Sequence, residues 1–96
     1  MATSKINRPV KTLERKTLEF TGITGNEGAN IILTSTIAAD VGVSSYNQIM
    51  AITAASDAGM SGARYVIFLN TNQLYIKPDK NVSNATLYVV FSYYPD

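Results

Sequence analysis

Ninety-six residues with a net charge of +1 leave room for one compact domain, because single cores usually run to about 100 or 150 residues. Hydrophobic residues make up 46% and charged residues 16% of the chain, too apolar for disorder and too poor in charge for a solvated helical bundle. Histidine and cysteine are both absent, which excludes an imidazole base, a thiol nucleophile, thiolate or imidazole zinc sites and any disulfide framework. Polarity comes instead from ten Thr, eight Ser and eight Asn, an unusual surface for a cytosolic enzyme.

No run approaches the roughly 20 apolar residues that cross a bilayer, and the N-terminus is polar where a signal peptide needs an apolar stretch. The expectation is a soluble chain with no membrane insertion. Basic character concentrates at the start, in Lys5, Arg8, Lys11, Arg15 and Lys16. No aromatic residue is interleaved with them for base stacking, so nucleic acid is not the expected partner. They are read as an extended basic N-terminal arm over residues 1–15, able to anchor the protein to a surface, ahead of a folded domain over residues 16–96.

In chain order, Lys16 to Thr21 alternates Leu18 and Phe20 against Thr17, Glu19 and Thr21 and predicts a half-buried strand. Gly22, Gly25, Asn26 and Gly28 then supply a reversal, and the β-branched run Ile31 to Ile37 predicts a second strand. Residues 45–58 permit two readings. Ser45 with Gln48 resembles a capping box ahead of an Ala-rich helix that Gly59 would close. The apolar run Ile49 to Ala54, bounded by turn residues, suits a strand buried on both faces, and strand is the expectation. After a loop at Gly59, Ser61 and Gly62, Arg64 to Leu69 is the most β-prone segment, and its continuous apolarity predicts cover on both faces. Asn70, Thr71 and Asn72 link it by a tight hairpin to Gln73–Lys77, which Pro78 ends. The last strand, Thr86 to Tyr94, puts Leu87, Val89, Phe91 and Tyr93 on one face and Thr86, Tyr88, Val90, Ser92 and Tyr94 on the other.

Short strands with little helix predict an all-β fold: a small antiparallel β-sandwich, jelly-roll-like, of about six to eight strands. Its core would draw on Leu18, Phe20, Ile32, Ile52, Ile67, Leu69, Leu74, Ile76, Leu87, Val89 and Phe91. A domain this small buries limited surface by itself, so self-association is expected. The interface candidates are Tyr88, Val90 and Tyr94, where Tyr combines apolar area with a polar handle.

Chemistry has few carriers. The carboxylates Glu14, Glu19, Glu27, Asp40, Asp57, Asp79 and Asp96 form no spaced acid–base motif. Gly22, Gly25 and Gly28 lack the Lys-Ser/Thr and the following helix of a phosphate loop. No catalytic residue, metal site or cofactor is expected. Two glycosylation sequons, at Asn81 and Asn84, are read as turn chemistry. Among the six tyrosines, Tyr46 and Tyr75 are the candidates for stacking on a sugar.

The succession Lys16 to Thr24, a Gly/Asn loop, Ile49 to Ala54, Tyr65-Val66-Ile67, Leu74-Tyr75-Ile76 and a terminal strand introduced by Asn84 and ending in Tyr93-Tyr94 resembles the small all-β domains of bacteriophage tail fibres and other virion-surface proteins. The resemblance covers roughly residues 16 to 94. It implies a non-enzymatic virion structural protein made in the bacterial host cytoplasm: a fibre tip, head fibre or decoration protein. Its implied partners are two further copies in a homotrimer, other virion proteins and a host-surface glycan, and no glycan-binding residue carries over. The other reading is a bacterial carbohydrate-binding module.

Overall fold

The computed structural model describes residues 12–57 and 62–96. They form an all-β domain of six strands: β1 (Glu14–Gly25), β2 (Ile31–Thr34), β3 (Ile49–Asp57), β4 (Tyr65–Asn70), β5 (Gln73–Pro78) and β6 (Val82–Tyr93). One short helix, α1 (Ile37–Val41), and a 3-10 turn, Tyr46–Gln48, lie between β2 and β3. The strands make two antiparallel three-stranded sheets, ordered β1-β6-β3 and β2-β5-β4. Pairing is nested, β1 with β6 and β2 with β5, and β3 and β4 lie in different sheets.

β6 organises the first sheet because its alternation is strict from Ala85 onward. Val89 and Phe91 are 0% exposed, and Leu87 and Tyr93 are also buried. Leu74 and Ile76 of β5, the middle strand of the other sheet, are equally inaccessible and belong to the same core cluster. Full burial of each such side chain contributes roughly 1.5–3 kcal/mol. Leu18, Phe20, Ile52, Ile67 and Leu69 pack against this cluster half-buried. The cluster also takes in Ile23, Ile37, Ala38, Val41, Val43 and Val82, drawn largely from segments outside the anticipated core.

Five local expectations are corrected. Ile32 is 46% exposed because it pairs with Tyr75 on the outer face of the second sheet. β2 stops at Thr34, and Ile37 opens a helix instead of closing a strand. Tertiary bonds override the β-branched run there: Ile37 N–H donates to the Asn72 carbonyl at 3.1 Å and Ala38 N–H to Asn72 Oδ1 at 2.9 Å. Gly42, at φ +98°, then ends the helix, its N–H bonded to the Ala38 carbonyl. Gly22 is no turn residue but a positive-φ position inside β1, where the register with β6 shifts between Phe20 and Ile23. Ser45 and Gln48 do form a capping box, around a single 3-10 turn, and the expected strand runs from Ile49, but it is an edge strand and is not buried on both faces: Met50 is 49% exposed. Val66, on β4, is 62% exposed, so the continuous apolar run is not covered on both faces. β4 is an edge strand, and continuous apolarity cannot distinguish an edge from a centre.

The basic segment divides. β1 begins at Glu14, so Arg15 and Lys16 belong to a strand paired with Ser92 and Phe91. Lys5, Arg8 and Lys11 lie outside the described residues, as do Gly59 and Ser61 of the anticipated loop.

Candidate functional site

Among the described residues, the outer faces of the two sheets and two clefts offer surfaces on which a function can be built. On the outer face of the first sheet, cross-strand rows run Arg15–Ser92–Ala51 and Thr17–Val90–Thr53 across β1, β6 and β3. Glu19 pairs with Tyr88 beside them. Tyr88 donates its hydroxyl to the Glu19 carboxylate, and that bond, with the negative charge, holds the phenol above its ordinary pKa. This face is small, β-branched and hydroxyl-rich. The interface candidates Tyr88 and Val90 meet on it, both half-buried. Tyr94 follows the end of β6, with its N–H bonded to the Gln48 carbonyl at 2.9 Å.

The outer face of the second sheet is different in kind. Ile32, Tyr75 and Phe68 form one row across β2, β5 and β4, and Val66 and Lys77 form the next. The rings of Phe68 and Tyr75 stack with centroids 5.4 Å apart and planes within 7°. The Tyr75 hydroxyl donates to Gln73 Oε1 at 3.0 Å. Stacking of this sort covers one ring face of each partner with the other. Tyr46, the other glycan-contact candidate, sits on the 3-10 turn and packs half-buried against the core. The two candidates are therefore on separate elements and build no shared sugar platform.

Sequence reasoning missed that Ile32 and Val66 are exposed and that Phe68 stands half-buried on the same outer face. The missing signal was register: Ile32 is opposite Tyr75, and Tyr75 is opposite Phe68. No residue-by-residue property carries that alignment.

A cleft of about 300 Å³ opens between Phe20–Thr24 of β1 and Ile31–Leu33. A second, of about 380 Å³, is walled by Val66 and Pro78 and rimmed by Arg64, Lys77, Glu27 and Asp79. Its charges balance, and Asp79 is engaged, accepting the Arg64 N–H at 2.8 Å. Among the described residues no cluster of three or more acidic side chains is placed to hold a metal ion.

Of the sequon asparagines, Asn81 is a turn residue before β6, whereas Asn84, expected in a turn, lies inside β6 at a positive-φ position where the register with β1 shifts. Asn81 Oδ1 accepts the Glu27 N–H at 2.7 Å. Asn84, at φ +51°, donates its N–H to Thr24 Oγ1 at 3.0 Å. Both bonds tie β6 to the end of β1 or the turn after it.

Comparison with protein-family models, with curated proteins and with solved structures finds no match to this chain.

Proposed function

We propose that this chain is a non-enzymatic structural protein of a bacteriophage particle, a small β-domain displayed on the virion surface as a decoration or fibre element. The observation that carries the reading is the nested strand order, β1 with β6 and β2 with β5 in two antiparallel sheets. A long hairpin rolled on itself gives this order, and we read the fold as a minimal jelly roll, an architecture used by viral capsid and lectin domains. The hydroxyl-rich outer face of the first sheet supports assembly by surface contact. Tyr88 and Val90 lie on that face and Tyr94 just beyond it; these residues are the proposed contacts of a homotrimer.

Between the virion roles, decoration is favoured over glycan capture. Stacking occupies a ring face of Tyr75, and Tyr46 packs on the core, which leaves neither tyrosine an open platform in the manner of a sugar-stacking site. The same geometry weighs against a carbohydrate-binding module.

The test is co-sedimentation with phage capsids beside a glycan array and host-cell binding. Capsid binding that weakens when Arg15 and Lys16 are replaced by Ser supports decoration. Retention on glycans, with no capsid binding, would overturn it.

A further inference from the structure

We draw no further inference here: the strongest candidate, the apolar patch that Ile32 and Val66 expose on the outer face of the second sheet, carries none, because nothing in the structure shows what covers it.

Discussion

Asn72 caps a helix that lies 34 positions before it in the chain: its Oδ1 accepts the Ala38 N–H at 2.9 Å while its carbonyl accepts the Ile37 N–H at 3.1 Å. The residue before α1, Thr36, makes no side-chain cap of its own. It instead hydrogen-bonds Asp40, as does Thr34, which tethers the end of β2 to the helix. A turn of the second sheet thus holds the helix in place, and the helix contributes Ile37 and Val41 to the core.

Asn72→Ala should destabilise the domain by about 1 kcal/mol, the usual cost of losing an N-terminal cap. Asn72→Asp should retain most of the stability, because a carboxylate accepts the same bond. Urea denaturation of the two variants measures the difference, and equal losses would refute a capping role.

The neighbouring turn residue Thr71 has φ +59°, a region that costs a β-branched residue about 1–2 kcal/mol and that Asn visits readily. Thr71→Asn should therefore raise stability, by about 0.5–1 kcal/mol. A lowered melting temperature would show that the Thr71 side chain has a compensating role.

Gln48 ties the C-terminal residues to the start of β3. Its Nε2 donates to the Tyr94 carbonyl and to Asp96 Oδ1, both at 2.9 Å, while its Oε1 accepts the Ser45 N–H. Gln48→Ala should cost about 1–2 kcal/mol. Gln48→Glu should cost more, because the new carboxylate would face the oxygens of Tyr94 and Asp96. Hydrogen exchange at the Tyr94 amide, which donates to the Gln48 carbonyl, should accelerate in both variants. An unchanged rate would mean that the main-chain bond holds the tail unaided.

These bonds show which parts of the fold were legible in sequence. Period-two alternation located β6, because every inward residue from Leu87 to Tyr93 is apolar and buried. The Ser45–Gln48 box was equally legible, since both partners lie within one turn. Helix α1 was not legible, because its N-terminal partner is Asn72, supplied by a distant hairpin. The outer-face row Ile32–Tyr75–Phe68, in which Ile32 is exposed and the two rings are half-buried, also escaped detection, since an apolar residue in a strand looks the same whether its sheet face is covered or bare. Only pairing register distinguishes the two.

Phe91 is wholly buried in the middle strand of the first sheet, between Lys16 on β1 and Ile52 on β3. Phe91→Ala should cost about 3–5 kcal/mol from lost transfer energy and cavity formation. Against a total of about 5–15 kcal/mol for a small domain, this variant should be near its unfolding threshold. Val90→Ala, one residue away on the outer face and half-buried, should cost much less in the monomer. Comparable losses at both positions would contradict the assignment of inner and outer faces.

The Tyr88–Glu19 pair makes the outer face of the first sheet sensitive to alkali. Folding raises the Tyr88 pKa above its ordinary value of 10.0 through the bond to the Glu19 carboxylate and its charge. The folded state thus binds the phenolic proton more tightly than the unfolded chain. The stabilisation is fully present below the unfolded pKa and is lost as pH rises through the raised folded value. Glu19→Gln removes the charge, so Tyr88 should ionise at lower pH and the alkaline loss of stability attributable to it should shrink. Phenolate absorbance, followed through an alkaline titration of the unmodified chain, Glu19→Gln and Tyr88→Phe, isolates the Tyr88 transition by difference. That transition should move down in the Glu19→Gln variant; if it stays in place, Glu19 does not hold the Tyr88 hydroxyl in solution.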